Sequence, residues 1–102
     1  MNPDPRAEII RRLHCAAGHL DAVIKMTESG QPCEDVLHQL NAVQSALNAA
    51  GLKIIYCQAQ TSQDVIVNSS SCDERTTELN RLQILYYIFT QHSFHNMKAK
   101  HD

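Results

Sequence analysis

From residue 36 to residue 54 the apolar positions Val36, Leu40, Val43, Leu47, Ala50 and Ile54 fall at steps of 4, 3, 4, 3 and 4. That is a heptad seam, stricter than the face of an ordinary amphipathic helix, and it is the pattern by which one helix lies along another. Pro32 opens the segment, with Glu34 and Asp35 placed to meet the positive N-terminal end of a helix. A helix is therefore expected over about residues 32–61, roughly 45 Å at 1.5 Å per residue. A rod that long outruns what a 102-residue monomer can cover. The seam asks for a second copy of itself.

One step beyond each end of the seam stand Cys33 and Cys57. Within one helix they are separated by about 36 Å of rise and cannot meet. If two copies of the helix pair antiparallel about a twofold axis near Ser45, Cys33 of one copy faces Cys57 of the other. Any chemistry that uses both thiols then belongs to the subunit interface.

Two further helices flank this one. Asp4-Pro5 reads as an N-cap followed by proline at the first helical position. Ile9, Leu13, Ala16, Leu20, Val23 and Met26 then recur at helical spacing up to Ser29-Gly30, with Pro32 as a stop, which places helix one over about 5–29. Val65-Ile66-Val67 followed by Asn68-Ser69-Ser70-Ser71 reads as an irregular connection. Ser71 and Glu74 have capping-box spacing. A short helix three is expected over about 73–91, with Leu79, Leu82, Leu85 or Tyr86, and Phe89 on one face, followed by a fraying polar tail at 92–102. The fold class is all-α: a single three-helix domain whose two long helices form an antiparallel four-helix bundle in the dimer.

Composition agrees with a globular chain, at 43% hydrophobic and 20% charged. Nine Lys and Arg against eleven Asp and Glu exclude a generally basic coat for nucleic acid, though not a local basic patch. Three glycines and no tryptophan argue against a Gly-rich nucleotide cradle. The first ten residues do not resemble a signal peptide. The longest stretch without Lys, Arg, Asp or Glu, Val36 to Leu52, carries too many polar groups to span a bilayer. A cytoplasmic protein with no membrane partner is therefore expected, and in that reducing compartment four cysteines without a C-x-x-C pair read as free thiols. Cys15 reads as a buried small hydrophobe and Cys72 as an inert surface thiol. His14, His19 and His38 read as polar-face residues, and His92, His95 and His101 as solvated tail positions rather than a metal site. Tyr86, Tyr87 and Phe89 read as core or interface. No acid–base or nucleophile–base constellation appears, so the chain is not read as an enzyme.

The run Gly18-His19-Leu20-Asp21, the pairs Lys25-Met26 and Glu28-Ser29, and then Cys33-Glu34-Asp35-Val36-Leu37-His38-Gln39-Leu40-Asn41-Ala42-Val43-Gln44-Ser45-Ala46-Leu47 carry a resemblance. The chain resembles the copper-sensing operon repressor family, which includes relatives that sense nickel or cobalt, formaldehyde and persulfide. The likeness runs without a gap through helices one and two and weakly into helix three. It implies a dimer of dimers that represses its own operon by binding double-stranded operator DNA. An inducer bound between subunits then releases the DNA.

In the copper sensors the cysteine matching Cys33 is the first ligand, and a His and a Cys on the partner's second helix, 25 and 29 residues further on, complete the site. Those positions are Gln58 and Ser62 here. Ser62 also departs from the persulfide sensors, which keep a cysteine there, and Asn2-Pro3 departs from the formaldehyde sensor, which needs proline at its second residue. Cys57, one residue before the expected ligand, is the substitute, and two thiolates suit Cu(I) or another thiophilic metal ion. No metal is expected to be needed for folding. Glu78 matches an acidic residue near the metal in the copper sensors, and it and Gln58 are expected to support the site from behind.

Arg11 and Arg12 follow the family's basic stretch, with Arg6 and Lys25 extending it, while Ala17 stands where relatives often carry a further arginine. These residues are the expected DNA contacts. The leading expectation is a homotetrameric repressor sensing a metal through Cys33 and Cys57. The alternatives are a sensor of persulfide, electrophile or aldehyde using the same cysteines, and a structural homologue that has lost sensing.

Overall fold

The computed structural model of the protein describes residues 4–101, and the side-chain surroundings of residues 4–91. Among them the chain is all-α: α1 (Pro5–Glu28), α2 (Cys33–Asn68) and α3 (Cys72–His101), with no strand. Among the described residues no helix is long and apolar enough to cross a membrane.

The ends of α1 are built as the residues dictate. Asp4 is the N-cap, its carboxylate accepting the Arg6 N–H at 3.0 Å, and Pro5 follows where no donor is needed. At the other end the Gln31 N–H donates to the Met26 carbonyl at 3.0 Å and the Gly30 N–H to the Thr27 carbonyl at 3.2 Å. This paired closure is a Schellman motif, and it needs a left-handed residue, which Gly30 supplies at φ 73°. Pro32 then starts α2, its carbonyl accepting the N–H groups of Asp35 and Val36.

α2 is longer than expected, 36 residues ending at Asn68. Val65, Ile66 and Val67 are helical, not part of a connection. β-Branched residues lower helix propensity only slightly, and no Gly or Pro follows Gly51 to stop the helix. Burying Val65 and Ile66 in part outweighs the local cost. The break falls instead at Ser69–Ser71. The Ser71 hydroxyl accepts the Glu74 N–H at 3.2 Å, while the Ser71 N–H turns back to the Ser69 hydroxyl at 3.1 Å, so half of the expected capping box forms. α3 likewise runs 30 residues to His101 and is not the short helix expected. The absence of any breaker again lets the polar segment continue the helix.

The chain forms two compact units, Met1–Lys53 and Ile54–Asp102, with α2 passing from the first into the second. In the first unit the buried apolar residues are Ala16 and Val23 of α1 and Val43 and Ala50 of α2. The seam on α2 is thereby split. Val43 and Ala50 are consumed inside the protomer, whereas Leu47 remains 47% exposed. The exposed large apolar residues of α1 are Ile10, Leu13, Leu20 and Ile24, again at heptad-like steps. Leu13 and Leu20, expected on the buried stripe, thus lie on a second, uncovered one. Cys15 is exposed and does not serve as the packing residue its type suggested. In the second unit Leu82, Leu85 and Phe89 are half-buried, while Tyr86 and Tyr87 stand 63% and 64% exposed and are not core residues of the chain.

Candidate functional site

Two places in the chain carry polar groups arranged for chemistry or recognition. The first lies in the second unit, where α2 and α3 meet. Gln58 and Ser62 are one helical turn apart on α2, and the Gln58 amide donates to the Ser62 hydroxyl at 3.0 Å. The Ser62 hydroxyl in turn donates to the Glu78 carboxylate of α3 at 2.7 Å. Ser62 is fully buried and is the only buried polar residue among those described. A hydroxyl has one proton to give, and Ser62 spends it on a charged acceptor, the stronger kind of hydrogen bond. Gln58 and Glu78 were expected, from the resemblance, to support a metal site; the hydrogen-bonded relay through Ser62 was not legible, because only the fold sets residues 62 and 78 side by side.

Gln58 and Ser62 are the two positions that the resemblance matched to ligands of the copper sensors. Here they hold a neutral amide and a neutral hydroxyl already satisfied by one another and by Glu78. Such oxygen donors do not suit Cu(I), which favours soft sulfur. The thiols do fit a soft metal in donor chemistry. Cys33 is exposed at the first turn of α2, and Cys57 is half-buried further along the same helix, its carbonyl accepting the Thr61 hydroxyl at 3.2 Å. All four cysteines are free. Among the described residues no cluster of three or more His, Cys, Asp or Glu side chains within one chain could hold a metal ion. His14, His19 and His38 are exposed. His92, His95 and His101 lie outside the residues whose side chains are described, and Asn2 and Pro3 lie outside the described residues altogether.

The second place is the N-terminal half of α1. Glu8 sits three and four residues before Arg11 and Arg12, on the same face of the helix. Arg11 grips its carboxylate with two bonds, Nη2 to Oε1 at 2.7 Å and Nε to Oε2 at 3.1 Å. The Arg12 Nε adds a third, to Oε1 at 3.1 Å. The hydrogen bond from Arg11 holds the Glu8 carboxyl below the usual glutamate range, and the same bond raises the Arg11 guanidinium above its own. Further along, Lys25 pairs with Asp21 at 2.9 Å. Arg6 has no ion pair among the described residues. Sequence spacing carried the signal for both pairings, but reading only the cations missed it.

The model of the family described as "Metal-sensitive transcriptional repressor" matches residues 5–83. The chain belongs to that family. The match takes in α1, α2 and the part of α3 that bears Glu78, so every candidate residue of this metal-sensitive repressor family member lies inside it. Over 58 residues the chain is 41% identical to the copper-sensing transcriptional repressor CsoR of Mycobacterium ulcerans, covering 57% of this chain and 50% of that protein. Proteins of the same description from Mycobacterium bovis and Mycobacterium tuberculosis are 38% identical over 52 residues, covering 51% of this chain and 44% of theirs. The chain thus spans about half the length of the curated relatives it matches. No solved structure matches it.

Proposed function

We propose that this chain is an operator-binding transcriptional repressor that lets go of DNA when an inducer is captured by Cys33 of one subunit and Cys57 of the partner subunit. The observation that carries the reading is the state of α2. Gln58 and Ser62, the positions that the resemblance matches to metal ligands, are engaged in the relay to Glu78, and the sulfur donors on that helix are Cys33 and Cys57. A metal inducer would be held by these two thiolates, and a thiophilic ion such as Cu(I) accepts two sulfurs without a third ligand. Its contribution would be a bond across the interface that favours one arrangement of subunits over another.

The assembly itself is part of the proposal. A homodimer, pairing into a tetramer, would cover the exposed stripe of Ile10, Leu13, Leu20 and Ile24 together with Leu47, a patch a lone soluble chain rarely leaves open. DNA contact is assigned to Arg6, Arg11, Arg12 and Lys25 of α1, through phosphate neutralisation. The inducer changes DNA affinity only as far as it binds the two arrangements differently.

A second reading is favoured by the same closed relay. Sensing of a persulfide, electrophile or aldehyde needs an accessible thiol and no further ligand, and Cys33 is free and exposed. Anaerobic titration of the DNA-bound protein with Cu(I), beside a parallel titration with a polysulfide donor, separates the two. Release by Cu(I) alone supports the metal reading, and release by the sulfur donor alone replaces it. Cys33→Ala is expected to keep DNA binding and to lose release by either; continued release would remove Cys33 from the sensing role.

A further inference from the structure

Three of the four residues assigned to DNA contact, Arg11, Arg12 and Lys25, are engaged in ion pairs. From the N-cap to the end of α1, the acids Asp4, Glu8, Asp21 and Glu28 number the same as the bases Arg6, Arg11, Arg12 and Lys25, so the helix has no net charge. The acids are also well placed. Glu8 alone binds two guanidiniums through three hydrogen bonds, with its side chain 26% exposed against 62% for Arg11.

A carboxylate gripped this way offers what a DNA phosphate would offer: two anionic oxygens in the plane of the guanidinium fork. The geometry points to Glu8 as an internal competitor for phosphate, occupying Arg11 and Arg12 in the free protein and lowering the chain's affinity for DNA. The inference rests on the assignment of Arg11 and Arg12 to DNA contact. It goes further in naming the residue that sets how strong that contact is.

The physical consequence is specific. An arginine neutralised by Glu8 has less positive charge to give a phosphate, and must exchange one anion for another on binding. DNA binding then releases fewer counterions per subunit than the count of arginines implies, and its salt dependence is shallow. Exposed ion pairs of this kind are weak in water, so the competition is one that phosphate wins at high DNA concentration. Glu8 tunes binding and does not abolish it. A repressor held at modest affinity is one that a small coupling free energy from an inducer suffices to detach.

Glu8→Gln keeps the length of the side chain and removes its charge. Fluorescence anisotropy with a labelled mixed-sequence duplex, measured over a range of salt, reads the outcome. The variant is expected to bind about fivefold more tightly at low salt, with a slope of log affinity against log salt more negative by up to about 0.9, since one negative charge is removed. Equal or weaker binding with an unchanged slope would overturn the role of Glu8. The Arg11→Ala/Arg12→Ala double variant, titrated alongside, separates the two layers. If it loses affinity while Glu8→Gln gains none, only the competitor role falls. If it binds as tightly as the parent, the DNA assignment of these arginines falls, and the competitor role falls with it.

Discussion

The hydroxyl of Ser62 on α2 donates to the carboxylate of Glu78 on α3 at 2.7 Å, and it does so from a position with no solvent exposure at all. A buried donor aimed at a carboxylate is worth keeping only where the partner is present, since an unpaired polar group in the interior is costly. The relay that begins at Gln58 ends on this bond. It ties the last turns of α2 to α3.

Removing the hydroxyl should therefore be felt. Ser62→Ala leaves the Gln58 amide and the Glu78 carboxylate without their shared partner and is expected to cost about 1–3 kcal/mol. Urea unfolding at fixed protein concentration measures it. A loss below about 0.5 kcal/mol would mean that water replaces the hydroxyl and that the bond contributes little.

Gly30 closes α1 at φ 73°, and an added Cβ there would meet nothing within 4 Å. Gly30→Ala thus tests backbone conformation with no steric clash. It is expected to destabilise by about 1–2 kcal/mol, the left-handed cost of an L-residue, and Gly30→Asn by less. A neutral Gly30→Ala would show that the Schellman closure is not needed to end the helix.

The Glu8 carboxyl is held below the usual glutamate range, first by the Arg11 hydrogen bond. A depressed folded-state value means that the pairing stabilises the protein above the ordinary glutamate range and that this contribution fades as pH falls through the lowered value. Arg11→Ala should melt below the parent at neutral pH, with the gap closing in acid. Its Glu8 side chain, followed by NMR, should titrate at higher pH than in the parent. A gap independent of pH would assign the effect of Arg11 to something other than this pair.

Leu20 and Leu47 are 44% and 47% exposed in the single chain. Charging one of them should leave the protomer folded but weaken an assembly that covers it. Leu47→Glu is expected to raise a dimer dissociation constant by about a hundredfold or more, the equivalent of losing one well-buried leucine. Sedimentation velocity across protein concentration reads the shift. An unchanged oligomeric state would place the interface on another face.

Much of this fold could be read from local chemistry. Asp4, Pro5, Gly30 and Pro32 mark their helix ends by what their own backbones permit, so α1 and the start of α2 stand where expected. Val65–Val67 and the polar residues after Gln91 misled, for the same reason in two forms. Propensity and polarity are weak penalties, whereas a glycine or proline is a strong one, and neither stretch contains either. The heptad seam was legible as a seam, but its division was not: Val43 and Ala50 face the interior of the protomer while Leu47 stays outside. Which side of a stripe packs inward depends on where α1 lies.

The candidate sites divide in a similar way. Spacing alone settles that Glu8 can reach Arg11 and Arg12, because residues three and four apart on a helix are neighbours wherever that helix forms. Spacing likewise separates Cys33 from Cys57 along a single rod. The bond from Ser62 to Glu78 has no such local cause. It joins residues 16 apart in the chain, across a turn whose position had to be found first, and it exists because two helices pack closely enough to exclude water from a hydroxyl. Helix-scale geometry travels with the amino-acid order; the company a buried polar group keeps is set only when separate helices come together.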